Sequence, residues 1–262
     1  MRGYAWLLGA SLLLATPAEA APRRVASLNL CTDELLLLLG APDQIVSVSH
    51  LGRRQAETAL WRKAQAYPAN DGTLLSVLPH RPELVLAMGG GGRDRSRIAH
   101  RLGIALLELP YPQSLGDIQT AVASVAAALG QAEAGRAIVE RLQALRRTAP
   151  QRTRDTILLG GGGRSVAASG LAAQWLRLAG LRQRPLVGDR VSLEQLLVAP
   201  PQVLLRSDYR QGQYSGEQRW LAHPLARRVR ARQTLVADGR RWTCMGPSLI
   251  REVLRLRQAA RS

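Results

Sequence analysis

RVASLNLCTDELLLLLGAPDQIVSVSH (24–50) decides the architecture. Arg24 to Leu30 reads as a buried strand. Thr32 or Asp33 caps a short helix that runs through Leu39 and ends at Gly40. Gln44 to Ser49 reads as a second strand. Strand, helix and strand in so short a span form a βαβ unit, whose two strands pair in parallel.

The rhythm continues outward from this segment. After an irregular stretch, Thr73 to Leu78 reads as helix, Leu84 to Met88 as strand, Arg93 to Leu102 as helix and Ile104 to Leu109 as strand. Then it breaks. Ser114 to Leu129 and Gln131 to Thr148 are both helical by spacing, parted by Gly130, with no strand signal until Thr156. The alternation resumes with a strand at Thr156 to Leu159 and helices at Leu171 to Ala179 and Ser192 to Val198. Strands at Val203 to Arg206 and Thr234 to Ala237 and a terminal helix from Pro247 to Ala259 complete it. Two pairs of segments echo each other: LVLAMGGGGR (84–93) with TILLGGGGR (156–164), and LLSVLPHRPELVLA (74–87) with LEQLLVAPPQVLLR (193–206). The expected fold class is α/β, with two pseudo-related lobes, mainly parallel sheets and one long connecting helix. The expected division is 1–20, a signal peptide; 21–130, the first lobe; 131–149, the connector; and 150–262, the second lobe.

The first twenty residues set the compartment. Arg2 begins a basic region, Trp6 to Ala15 is apolar, and Ala18-Glu19-Ala20 is an A-x-A cleavage site before Ala21. The apolar run is short of the ~20 residues that span a bilayer. The expected product is an exported, periplasmic protein. The chain carries 36 Lys+Arg against 19 Asp+Glu, a net charge of +17, which alone would suit a nucleic-acid binder. Export removes that partner. Lys63 is the only lysine and phenylalanine is absent, so the excess looks compositional rather than a selected face.

Chemical motifs are sparse. Neither glycine cluster has the lysine of a P-loop or the G-x-G-x-x-G dinucleotide fingerprint. Each does follow a strand end, where bare backbone and a following arginine, Arg93 or Arg164, can meet a ligand. His50, His80, His100 and His223 make no zinc spacing, and there is no G-x-S-x-G elbow. No enzyme, cofactor or resident metal is implied. Cys31 and Cys244 lie far apart in an oxidising compartment. A disulfide is the first reading and free thiols binding a metal or a metallated ligand the second.

The signal peptide followed by PRRVASLNLCTDELLLLLGAPDQIVSVSHL (22–51) resembles the opening of the periplasmic substrate-binding proteins for cobalamin and ferric siderophores. RPELVLAMGG (81–90), LGIALLELPYPQSLGDIQTAVASVAAALG (102–130), SLEQLLVAPPQVLL (192–205) and TLVADGRRWTCMGPSLIREVLRL (234–256) extend the likeness over nearly all of the mature chain. The resemblance implies a monomer that captures a metal chelate (cobalamin, ferric siderophore or haem-like) between its lobes. It implies delivery to an inner-membrane ABC permease and its ATPase. The implied cleft residues, at strand ends, are Asn29, His50, Arg93 and Tyr111 in the first lobe and Arg164, Arg206, Tyr209 and Trp242 in the second. Glu194 and Asp94 match the acids that meet the permease, although Asp94 stands one residue short of the family spacing. Two other readings are an exported polyanion-binding protein and an exported enzyme whose metal is held by Cys31, Cys244 and a histidine.

Overall fold

The computed structural model describes residues 21–90, 92–209, 220 and 223–260, with the side chains at 92, 93, 226 and 227 outside that description. The signal peptide expected over 1–20 therefore lies outside the described residues. No helix among them is long and apolar enough to cross a membrane.

The first sheet contains β1 (Val25–Ser27), β2 (Ile45–Ser49), β3 (Ala69–Asn70), β4 (Leu84–Met88) and β5 (Ala105–Leu109), in the order β3-β2-β1-β4-β5. Every pairing is parallel. Its crossovers carry α1 (Leu30–Leu39), α2 (Trp61–Ala64), α3 (Leu74–Val77) and α4 (Gly92–Arg101). The second sheet, order β7-β6-β8-β9, contains β6 (Arg154–Leu159), β7 (Leu181–Gln183), β8 (Val203–Ser207) and β9 (Gln233–Ala237), again all parallel. Around it run α7 (Leu171–Leu178), α8 (Leu193–Val198), α9 (Pro224–Arg227), α10 (Gly239–Trp242) and α11 (Leu249–Ala259). Between the sheets lie α5 (Leu115–Ala128) and α6 (Ala132–Arg147). The α/β class and the two parallel sheets agree with the sequence reading.

Strand alternation sorts the core. Leu84, Leu86 and Met88 of β4 and Val203 and Leu205 of β8 face a common apolar body that continues through Leu35, Ile118, Leu142, Trp175 and Leu256. The intervening Val85 and Ala87 close a satellite cluster behind the first sheet, and Leu204 with Ile157 and Leu159 closes another behind the second. The two lobes thus share one core, with α5, α6, α7 and α11 inside the junction. Buried Arg257 ties these helices: it donates to Leu178 O at 2.9 Å, to Leu145 O at 3.1 Å and to Thr148 Oγ1 at 3.0 Å, occupying carbonyls left open at the ends of α6 and α7.

Three sequence expectations change. The first strand stops at Ser27, because Asn29, not Thr32 or Asp33, caps α1; its side chain accepts from Thr32 N at 3.1 Å. Flanked by Leu28 and Leu30, that asparagine reads as part of an apolar strand. β3 and β7 were not expected, since strands of two and three residues are too short to show a period. The glycine echo also dissolves. By strand order β4 corresponds to β8 and β1 to β6, so LVLAMGGGGR and TILLGGGGR stand on non-equivalent strands. The proline-centred echo does match topologically, running from α3 to β4 and from α8 to β8.

The contact between α5 and α6 depends on Gly135, where a Cβ would stand 2.4 Å from Ala126 Cβ. Gly135→Leu should force the connector away from α5 and cost about 1–3 kcal/mol by overpacking, read as a lower urea midpoint at unchanged m-value.

Candidate ligand cleft

Open parallel sheets bind ligands beyond the carboxyl ends of their strands, where the strand order reverses. Here the reversals fall between β1 and β4 and between β6 and β8. On the first lobe these ends deliver Asn29, His50, Gly89 and Tyr111. At Gly89, φ is +88° and a Cβ would stand 2.2 Å from the Tyr111 ring, so only glycine admits the ring onto the backbone. Tyr111 itself is 62% exposed. On the second lobe β6 runs into the turn Gly161–Gly163 and exposed Arg164. Gly163, at φ +73°, would place a Cβ 2.3 Å from Val191 O. β8 delivers half-buried Arg206 and Tyr209, and β9 leads into Asp238 and α10.

The sequence-named residues divide into two groups. His50, Tyr111 and Arg164 are exposed at strand ends, and Arg206 is partly so. The others are less accessible, committed to neighbours or not described. Asn29 spends its amide on Met88 O at 3.2 Å and its oxygen on the α1 cap. Tyr209 donates its hydroxyl to Glu57 Oε2 at 2.6 Å. Trp242 is 8% exposed and belongs to the common core rather than presenting a face for stacking. Arg93 lies on α4, its side chain outside the described residues. Asp94 and Glu194 are exposed in the first turns of α4 and α8; Asp94 pairs with Arg97 at 2.5 Å, and the Ser192 hydroxyl holds the Glu194 carboxyl below its usual range. His223 caps α9 through Nδ1, which accepts from Leu225 N at 3.2 Å.

Contacts that no motif announced cross between the lobes. Besides Tyr209–Glu57, Arg240 Nη1 donates to Gln55 O at 3.3 Å, so the segment after β2 grips the second lobe at one flank. Opposite, Gln174 Oε1 of α7 accepts from Leu115 N at 3.2 Å. Cys31 of α1 is joined to Cys244 of the second lobe, with Cα atoms 5.2 Å apart. The disulfide stands, and the free-thiol reading, with the metal enzyme built on it, falls. Among the described residues no group of three or more His, Cys, Asp or Glu could hold a metal.

Two buried acids sit beside that disulfide. Asp33 accepts from Ser49 N at 2.9 Å and from Ser49 Oγ at 2.5 Å, and faces Gly52, where a Cβ would stand 2.4 Å from its carboxylate. Burial outweighs these bonds and raises its pKa from 3.8 to about 7. Glu34, also raised by burial, accepts from Ser248 N at 2.8 Å across the lobes. Two acids at the head of an all-leucine helix with no polar face were the available signal that both are buried for a reason.

A model of the periplasmic binding protein family matches residues 25–235. The chain belongs to the periplasmic binding protein family. Membership places it among solute-binding proteins of the periplasm rather than among enzymes. Its fold is similar to that of a periplasmic haem-binding protein from Pseudomonas aeruginosa, at 18% identity and TM-score 0.65, covering 91% of this chain and 92% of that one. It is similar to the periplasmic vitamin B12-binding protein BtuF of Vibrio cholerae, at 19% identity and TM-score 0.62, covering 92% and 98%. It is similar also to nickel-bound CeuE of Helicobacter pylori, at 14% identity and TM-score 0.64, covering 94% and 85%. No curated protein matches the sequence.

The raised Asp33 pKa fixes a sign. The folded protein holds this proton up to about pH 7, whereas the unfolded chain releases it near 3.8. The stability that Asp33 contributes is therefore fully present below about pH 4 and is lost as pH climbs through about 7. Asp33→Asn should flatten that decline in urea titrations run across the interval; an unchanged slope contradicts the assignment.

Proposed function

We propose that this protein is the substrate-binding component of an ABC importer and captures an anionic metal chelate between its lobes. The lobes are taken as 21–130 and 150–262, with 131–149 as the connector, in a monomer exported by a cleaved signal peptide. The observation that supports the reading is that the carboxyl ends of the first sheet's parallel strands lead to exposed Tyr111 and His50, and those of the second sheet to Arg164 and Arg206. Tyr111 offers a ring face to a macrocycle or a catechol. Arg164 and Arg206 offer bidentate donors to carboxylates. Relatives of the same fold bind haem, vitamin B12 and nickel. Haem and ferric siderophores fit the arginines better than cobalamin, which lacks carboxylates of this kind. Asp94 and Glu194, each in the first turn of an exposed helix, are the groups that meet the permease, and its ATPase drives release.

A polyanion binder is the competing reading, resting on the charge of +17. Polyanion affinity falls steeply from low to moderate salt, whereas capture in a lined cleft does so weakly.

Tryptophan-quenching titration with haem, ferric siderophores and cobalamin should give one partner with Kd below about 10 μM, roughly −7 kcal/mol. If none reaches that value the importer reading fails. For an anionic partner, Arg164→Ala and Arg206→Ala should each weaken binding about tenfold. Asp94→Lys with Glu194→Lys should leave that Kd unchanged and abolish uptake by cells; uptake at the parental rate removes both acids from the docking role.

A further inference from the structure

A cavity of about 570 Å³ opens on the flank of the junction between the sheets. Leu38, which lines it, stands near the far end of α1, about 13 Å along the helix from the Asn29 cap. Asn29 lies at the strand ends, so this cavity and the ligand cleft are separate places on the molecule. The other walls are α6, α11 and the residues just before α2.

A surface helix needs one apolar stripe to hold it to the core. Here α6 has two. Gly135, Leu142 and Leu145 are its buried face. Ala134, Ala137 and Ile138 form a second stripe, only half-buried, that turns to the cavity. The same holds for α11. Leu249, Val253 and Leu256 are buried, while Ile250 and Leu254 line the cavity, Leu254 at 50% exposure. The two extra stripes make a trough that joins the shared core at Ile138 and Ile250. A contiguous exposed apolar surface of this kind marks a binding groove.

The rim of the trough is cationic. Arg141 of α6 and Arg251 of α11 are exposed, and neither has a hydrogen-bond or ion-pair partner among the described residues. Arg241 adds a third charge, already shared with Asp238. None of the described lining residues is acidic. Composition alone does not account for this pair, since Arg24, Arg184, Arg255 and Arg257 are all spent on carbonyls or acids.

Size and charge select the occupant. Small-molecule sites span about 300–1,000 Å³, and this cavity falls within that range. A second copy of the chain would bring its own charge of +17 against a cationic rim. The arginine fork matches a carboxylate, and the trough matches an aliphatic tail.

We propose that this flank cavity binds a fatty-acid-type carboxylate, its tail along Ile138, Ile250 and Leu254 and its head between Arg141 and Arg251. The site shares no residue with the strand-end cleft, so it is tested apart from the importer reading.

The test is calorimetric titration of the chain from Ala21 onward with dodecanoate below its micelle concentration. One molecule should bind per chain, with Kd below about 100 μM. Arg141→Glu with Arg251→Glu should weaken binding at least about tenfold at an unchanged urea midpoint, because neither side chain holds the fold. Ala137→Trp, which fills the trough and leaves the rim charges in place, should abolish binding. Dodecyltrimethylammonium, with the same tail and the opposite charge, should bind at least about tenfold more weakly than dodecanoate. The proposal is overturned by the absence of dodecanoate binding at about 100 μM, by equal binding of the cationic amphiphile, or by parental affinity in both variants. A parental dimer that Ala137→Trp dissociates also overturns it, because a second copy then fills the trough.

Discussion

One helical turn, Cys31 to Glu34, carries the constraint on which the molecule depends. The rest of α1 is leucine and is packed on nearly every side, so each polar group in that turn must find a partner inside the protein. Thr32 bonds back to Ser27 at the end of β1, at 2.7 Å. Asp33 holds the exit of β2, and Cys31 and Glu34 hold the second lobe. The strand ends of one sheet and the loop before α11 are thereby referenced to the same few ångströms of helix.

The cleft is built by consuming many of its own polar groups. Asn29 caps a helix, Tyr209 and Glu57 satisfy each other, and Arg240 is shared between Asp238 and the first lobe. Such pairs cost little once both members are buried together, and they keep the lobes in register. Tyr111, His50 and Arg164 are exposed at strand ends and Arg206 partly so, with bare glycine backbone beside Tyr111 and Arg164. A few directed polar groups on a fixed frame describe a receptor better than a catalyst.

The charge excess has a partly internal explanation. Arg257 occupies the open carbonyls of two helices. Arg184 pairs with Asp155 and donates to Ala199 O, and Arg24 donates to the carbonyls of His80 and Arg81. In a chain with one lysine, arginine does the carbonyl capping that other proteins share between the two bases. Net charge counts buried Arg257 and half-buried Arg184 with the exposed arginines, and so overstates the field that a partner would meet.

The alternation of apolar strands with capped helices is local, and it was enough to determine the α/β class, the two lobes and the helical connector. The proline-centred echo belongs to the same level, because it follows from how a helix returns the chain to the sheet. What joins the lobes was not local. Cys31 and Cys244 are both plain in the sequence, but 213 residues separate them, and no spacing rule says that they meet. Glu57 and Gln55 sit in a segment without periodicity, and Trp242 reads equally as cleft wall or core. These assignments depend on which surfaces two separately patterned sheets turn toward each other. That is settled by the shared apolar core packing around α5, α6 and α11, a property of the assembled fold and not of any one stretch of chain.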